Sequence, residues 1–207
     1  MILFAGRLEY EKGVQTLLAA LQDVRRRVGP TRLFVAGVGT YSQQLRREVR
    51  RRQLQRHVRF TGFLPDHELR LHFGAADVAV VPSIYEPFGL VAVEAMACGT
   101  PVVVGDTGGL REIVADGSGL SFTPKEPTEL ADALVRVLTD PSLATELVSR
   151  GRARAQDRYD WAAVARRTVE VYARAAAEEA QLRGCEERTP LRPVLRAAPI
   201  LGLDAAG

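Results

Sequence analysis

The 207-residue chain is 46% hydrophobic and 26% charged, a balance that is typical of a globular domain and excludes a disordered chain. Its apolar runs are too short to predict a transmembrane helix, and its two cysteines, Cys98 and Cys185, are too few for a disulfide-rich secreted fold. These features favour a cytoplasmic α/β or α+β domain with appendages.

The charge balance gives little reason to expect a nucleic-acid partner. Lys and Arg number 28 against 25 Asp and Glu, and an excess of three is too small for a nucleic-acid-binding surface. One local group of arginines lies in a predicted helix and lacks aromatic neighbours that could stack on bases: Arg46, Arg47, Arg50, Arg51, Arg52 and Arg56. We interpret this group as a solvated helix face, with an anionic partner such as a membrane surface or an acidic protein as the alternative.

Along the chain, six short β-branched runs alternate with amphipathic segments, which predicts a parallel sheet covered by helices. The strands are expected at residues 2–5, 33–36, 58–61, 77–81, 102–104 and 119–122. The helices are expected at residues 14–28, from 41 onward, and at 66–76, 89–98, 108–114, 128–138 and 143–158. Residues 1–158 are therefore expected to form one Rossmann-like, doubly wound α/β domain.

The last fifty residues have a different pattern. Residues 159–183 read as one long helix with an apolar stripe that includes Trp161, Val164 and Tyr172. We expect this helix to pack back on the domain or on a partner lobe. Residues 184–207 lose all periodicity and are expected to be a disordered tail.

In a parallel sheet of this type, ligands bind in the loops at the carboxyl ends of the strands. The first of these loops, residues 6–13, contains Arg7 and Lys12. An arginine and a lysine that converge at a helix start can hold a phosphate group. The alternative is a solvated loop in which Lys12 pairs with Glu9 or Glu11.

The loop after the fourth strand contains two carboxylates, Glu86 and Glu94, eight positions apart. Between them, the amides of Gly89 and Leu90 begin a helix and are free to bind an anion. A ligand with hydroxyl groups on both sides of a diphosphate, such as a nucleotide sugar, suits this order of groups. The alternative makes Glu86 an exposed loop residue and Glu94 a carboxylate at the helix start that favours the dipole.

Three sequence blocks carry a family resemblance: Gly-Arg-Leu-x-x-Glu-Lys-Gly, then Ser-x-x-Glu-Pro-Phe-Gly-Leu-x-x-x-Glu-Ala-Met-Ala-x-Gly-Thr-Pro-Val-Val, then Gly-Gly-Leu-x-Glu. Together they resemble the donor-binding half of retaining glycosyltransferases of family 4, with features of the glycogen-synthase-like and sucrose-phosphate-synthase-like members. The resemblance covers about residues 2–175. It implies that residues 1–158 bind a nucleotide sugar and that a second, N-terminal lobe holds the acceptor.

The resemblance also implies roles for the charged residues. Arg7 and Lys12 would hold the diphosphate and neutralise it as it leaves. Glu86 would accept hydrogen bonds from hydroxyl groups of the transferred sugar, and Glu94 would accept them from the ribose. With Arg7, Lys12 and Glu86 as the catalytic residues, the implied reaction transfers a hexosyl unit, glucosyl in the expected case, with retention to a sugar, glucan or lipid acceptor.

The remaining implied contacts are made through the backbone. Phe88, Gly89 and Leu90 would contact the phosphates and the sugar, Leu64 would meet the base, and Gly6 would line the donor site. A backbone contact does not determine which base is bound, so the expected donor is a UDP-, ADP- or GDP-linked sugar.

No cofactor or metal is expected. His57, His67 and His72 are scattered, no Asp-x-Asp occurs, and no metal-ligand spacing is present in the sequence. We interpret the histidines as surface or packing residues, and we expect Arg7 and Lys12 to supply the positive charge that a metal supplies in other glycosyltransferases.

Two other functions are compatible with parts of the sequence. The first is a nucleotide-sugar-binding module, or one half of a split enzyme, that is inactive without an acceptor lobe supplied in cis or in trans. The second is a dinucleotide oxidoreductase, for which Gly37-Val38-Gly39 lacks the third glycine and an acidic ribose ligand.

Overall fold

The computed structural model describes residues 1–184, and the predicted tail beyond Gly184 lies outside the described residues. Six strands among these residues, numbered here in chain order, pair in parallel in one sheet of order β3-β2-β1-β4-β5-β6. The strands are β1 (Ile2–Ala5), β2 (Leu33–Ala36), β3 (Val58–Gly62), β4 (Val78–Val81), β5 (Val102–Gly105) and β6 (Leu120–Phe122). The predicted doubly wound α/β fold is confirmed.

Within the described residues, five α-helices connect successive strands and three more follow β6. They are α1 (Val14–Val28), α2 (Ser42–Arg51), α3 (Asp66–Ala75), α4 (Leu90–Ala97), α5 (Gly108–Val114), α6 (Pro127–Thr139), α7 (Pro141–Arg154) and α8 (Trp161–Gly184). A short 3-10 helix, Tyr10–Lys12, precedes α1.

Helix α7 differs from its predicted range of 143–158 at both ends. It begins at Pro141 because the side chain of Asp140 caps the helix by accepting a hydrogen bond of 3.0 Å from the Leu143 amide. It ends at Arg154, after which the chain continues as the π-helical turn Ala155–Tyr159.

The core has two layers because successive side chains of a strand point to opposite faces of the sheet. Ile2 and Phe4 belong to the layer that includes Leu17 of α1, whereas Leu3 belongs to the layer that includes Met96 of α4. All four residues of β4 and of β5 are buried, as expected for central strands with helices on both faces.

The contacts divide the chain into two compact units, of which the first is Met1–Val164 and contains the whole sheet. The second begins at Ala165, and α8 continues into it as far as Gly184. The predicted long helix is thus present, and its packing against the domain or a partner lobe stays a prediction. Within residues 1–184, no helix combines the length and the apolar character needed to cross a membrane.

Candidate functional site

The loops that follow the strands meet at the carboxyl edge of the sheet, as predicted. Backbone hydrogen bonds join them in pairs: Leu8 N donates to Val38 O at 2.9 Å, Gly37 N to Gly62 O at 2.7 Å, Ile84 N to Glu11 O at 2.7 Å, and Gly109 N to Glu86 O at 3.0 Å. The strand order reverses between β1 and β4. In open α/β sheets this reversal opens a crevice in which ligands bind.

Two glycines allow the first loop to approach its neighbours closely. Gly13 has φ +71°, and a Cβ there would lie 1.7 Å from the carbonyl oxygen of Pro82. Gly37 has φ +137°, and its Cβ would lie 1.8 Å from the carbonyl oxygen of Gly6. Close backbone packing thus explains why a glycine is required at position 37.

Lys12 and Glu86 form an ion pair at the reversal point. Lys12 follows β1 and Glu86 follows β4, and Lys12 Nζ lies 2.7 Å from Glu86 Oε2. Their side chains are only 15% and 13% exposed. The alternative of a solvated loop, with Lys12 paired to Glu9 or Glu11 and Glu86 exposed, is therefore wrong.

Ser83, which the sequence analysis did not single out, holds the same carboxylate. Its buried hydroxyl donates to Glu86 Oε2 at 3.2 Å, so Oε2 receives hydrogen bonds from both Lys12 and Ser83. Within residues 1–184, Oε1 of Glu86 has no such partner. The Ser-x-x-Glu spacing in this loop is the sequence feature that could have predicted the contact between Ser83 and Glu86.

A cavity of about 290 Å³ lies at the same edge, over the ends of β1 and β2. It is lined by four of the predicted site residues, namely Gly6, Arg7, Leu64 and Glu94. The Arg7 side chain is 74% exposed, and its contact with Glu11 is long, at 3.9 Å. The guanidinium is thus available to a ligand in the cavity.

The other predicted site residues do not line this cavity, and on α4 its lining begins at Val91. They are Lys12, Glu86, Phe88, Gly89 and Leu90. Gly89 precedes α4 with φ +77°, and the side chains of Phe88 and Leu90 are exposed. Among the described residues, the amides of Gly89 and Leu90 have no backbone acceptor. They are therefore open to an anion at the helix start.

Glu94 lies in the middle of α4, as its fifth residue, with no acidic residue in the first turn. The alternative of a helix-start carboxylate is therefore wrong. Desolvation by its surroundings, and then the negative charge of Asp66, raise the pKa of the Glu94 carboxyl above its usual value. Asp66 begins α3, and only the packing of α3 against α4 brings it near Glu94.

The cavity walls include apolar residues that sequence reasoning missed. They are Val38, Phe63, Leu69 and Val91. A second cavity of about 340 Å³ shares Leu69 and Glu94 with the first and is also lined by Asp66 and Arg70. Apolar walls around a few polar groups are characteristic of small-molecule sites.

Several known proteins are similar to most of this chain. The chain is 44% identical over 181 residues to a protein named glycogen synthase from Mycobacterium tuberculosis, a match that covers 87% of this chain and 44% of that protein. The solved sucrose-phosphate synthase from Thermosynechococcus elongatus superposes with a TM-score of 0.77 at 36% identity, covering 86% of this chain and 45% of that one. Anabaena HepE in complex with UDP-glucose gives a TM-score of 0.75 at 30% identity, covering 83% and 48%.

The chain thus spans about half the length of these relatives. Residues 1–154, which contain the whole sheet and the candidate site, match the family described as glycosyl transferases group 1. The chain belongs to the glycosyl transferases group 1 family.

Proposed function

We propose that this chain is the donor-binding half of a retaining glycosyltransferase of the family 4 type. It binds a nucleotide sugar and transfers a hexosyl unit, glucosyl in the expected case, to a sugar, glucan or lipid acceptor held by a second lobe. The observation that carries this proposal is the partly buried Lys12–Glu86 pair at the reversal point of the sheet. The cavity that is lined by Arg7 and Glu94 lies at the same edge of the sheet.

The nucleoside part of the donor fits the cavity over β1 and β2. Its apolar walls suit a base, which would contact the backbone at Leu64, and the Glu94 carboxylate would accept hydrogen bonds from the ribose hydroxyls. The complex of Anabaena HepE with UDP-glucose supports a nucleotide sugar as the ligand of this fold. We assign no base, because a backbone contact discriminates weakly among bases.

The diphosphate would lie between Arg7, Lys12 and the free amides at the start of α4. When the bond between the sugar C1 and the phosphate oxygen breaks, the phosphate keeps the electron pair and gains negative charge. Two cations and a helix N-terminus placed beforehand stabilise that charge more in the transition state than in the bound donor. The acceptor hydroxyl then bonds to C1 on the face that the diphosphate leaves and gives its proton to the departing phosphate oxygen, so the configuration is retained.

Glu86 would orient the sugar. Because Lys12 and Ser83 both engage Oε2, the carboxylate is held in one orientation and Oε1 is left for a sugar hydroxyl. Such fixed positioning lowers the cost of ordering the reacting groups at the moment of transfer.

A thermal-shift panel of UDP-, ADP- and GDP-glucose tests the proposal. A donor that binds the native state raises the melting temperature, with a stabilisation of about 2.7 kcal/mol at one hundred times Kd. We expect one donor to raise it in the unchanged chain and to have little effect on Lys12→Ala. If none of the three sugar nucleotides raises the melting temperature of the unchanged chain, the proposal is wrong.

A further inference from the structure

The amino edge of the sheet, on the side opposite the candidate donor site, contains a second group of basic residues. Met1, Arg32 and His57 directly precede β1, β2 and β3. Hydrogen bonds of 2.8 Å from Ile2 N to Arg32 O and from Leu33 N to His57 O hold the three strand starts side by side.

A cavity of about 890 Å³ opens at this edge. Its charged or titratable side chains are Arg25 from the last turn of α1, Arg32, Arg56 and His57, and no carboxylate is among the described residues that line it. The nearby N-terminal amino group is engaged by Asp77. The cavity is therefore basic and has no acidic side chain to balance it.

Several arginines elsewhere on the surface have acidic partners, whereas the arginines of this cavity have none among the described residues. Arg27, Arg51 and Arg111 each form ion pairs with aspartate or glutamate side chains. In the part of the chain that the structure describes, Arg25, Arg32 and Arg56 form no ion pair. Arg32 and Arg56 are also exposed, so their guanidinium groups are free to turn toward a ligand.

Two further observations indicate uncompensated positive charge here. The Nε atom of Arg25 is buried and has no hydrogen-bond partner among the described residues, although a buried donor without an acceptor is costly. Burial, followed by the positive charges of Arg25, Arg32 and Arg56, lowers the pKa of His57 below its usual value. An anion in the cavity would offset the positive charge that acts on His57.

We propose that this cavity at the amino ends of β1, β2 and β3 binds a small phosphorylated anion, at a site separate from the donor site. Phosphate suits arginine because the planar guanidinium donates two parallel hydrogen bonds to its oxygens. The volume lies within the range of small-molecule sites. We favour a phosphorylated metabolite over a macromolecule, because four basic side chains converge on a cavity of small-molecule volume.

Pyrophosphate is a suitable probe, and NMR titration of the His57 ring is a suitable readout because it is local to the cavity. We expect pyrophosphate to shift the His57 resonances and to raise the pKa of His57, because the added negative charge favours the imidazolium. The double variant Arg32→Gln/Arg56→Gln should bind the probe at least tenfold more weakly, since it loses two charge-assisted contacts.

The matched control is Arg47→Gln/Arg50→Gln, which removes two exposed arginines from α2 and lowers the net charge equally. It should bind pyrophosphate as the unchanged chain does. The proposal is overturned if pyrophosphate leaves His57 unaffected, or if sodium chloride at equal ionic strength produces the same shift. It is also overturned if the two double variants lose the same affinity.

Discussion

At the residue scale, the candidate site depends on how one carboxylate is held. Glu86 is 13% exposed, and its Oε2 atom is fixed by Lys12 at 2.7 Å and by Ser83 at 3.2 Å. A partly buried charge is stable only when it is paired and hydrogen-bonded. Each partner of Glu86 can therefore be tested separately.

Glu86→Gln removes the charge and keeps the size of the side chain. We expect nucleotide-sugar affinity to fall about tenfold, the effect of one lost charge-assisted hydrogen bond, while free nucleoside diphosphate affinity stays nearly unchanged. Titration calorimetry with both ligands measures the two affinities. Equal weakening of both would show that Glu86 does not contact the sugar.

Lys12→Ala should weaken the binding of both the nucleotide sugar and the free nucleoside diphosphate, because the ammonium group would contact the diphosphate that they share. A charge-assisted phosphate contact is worth about 1.5–3 kcal/mol, or roughly ten- to hundredfold in Kd. The control is Lys125→Ala, which removes the other lysine of the chain, an exposed one, and should leave both affinities unchanged. Unaltered diphosphate binding by Lys12→Ala would exclude the proposed phosphate contact.

The raised pKa of Glu94 gives the binding a pH dependence. As the pH falls through this raised pKa, the carboxylate gains a proton and loses its ability to accept two ribose hydrogen bonds. We expect nucleoside diphosphate affinity to fall with pH in the unchanged chain and to stay flat over the same interval in Glu94→Gln. Calorimetry at several pH values tests this, and identical pH profiles would contradict it.

The sign of the effect on stability provides a control for that experiment. A carboxyl whose pKa is raised on folding costs stability at pH values above its unfolded pKa, because its charge is less favourable in the native state. Glu94→Gln should thus not lower the melting temperature at neutral pH. Weak binding by this variant would then not reflect unfolding.

At the element scale, the site exists because α1 starts directly against the end of β4. Gly13 allows this approach, since a Cβ would lie 1.7 Å from the Pro82 carbonyl oxygen. The same contact brings the loop after β1 to the loop after β4, where Ile84 N donates to Glu11 O at 2.7 Å. The position of Lys12 opposite Glu86 follows from this packing.

Gly13→Ala should therefore destabilise the fold by more than about 1 kcal/mol, because the methyl group clashes with backbone and φ is positive. Gly74→Ala is the matched control: Gly74 lies in α3, and a Cβ there meets nothing within 4 Å. That change should be neutral or stabilising by up to about 1 kcal/mol. Urea unfolding measures both, and equal stability of the two variants would contradict the steric argument.

At the scale of the whole molecule, the chain matches 44% of the Mycobacterium tuberculosis relative and carries the candidate donor site. If acceptor groups lie in a second lobe, these 207 residues should bind a nucleotide sugar and transfer little of it. A radiolabelled-donor assay with and without a separately produced acceptor lobe tests this. Robust transfer by the 207 residues alone would overturn it, and transfer restored by the added lobe would support it.

The elements of the fold could be read from the sequence because hydrophobic periodicity is a local property. The alternation of buried runs with amphipathic segments predicts a parallel sheet, and all six predicted strands are present. The end of α7 was missed, since the π-helical turn Ala155–Tyr159 keeps the spacing of a helix. Parallel pairing also predicts that Arg7, Lys12 and Glu86 lie at one edge of the sheet.

The sequence by itself thus determined the fold class and the edge at which ligands would bind. Only the tertiary structure decided which side chains meet, because strand order and helix packing bring together residues that are far apart in the chain. Examples are the hydrogen bonds of Lys12 and Ser83 to the same oxygen of Glu86 and the approach of Asp66 to Glu94. Another is the convergence of Arg25, Arg32 and Arg56 on one cavity at the opposite edge. Hydrophobic periodicity cannot predict such contacts, since each depends on the distance between separate helices, strands and loops.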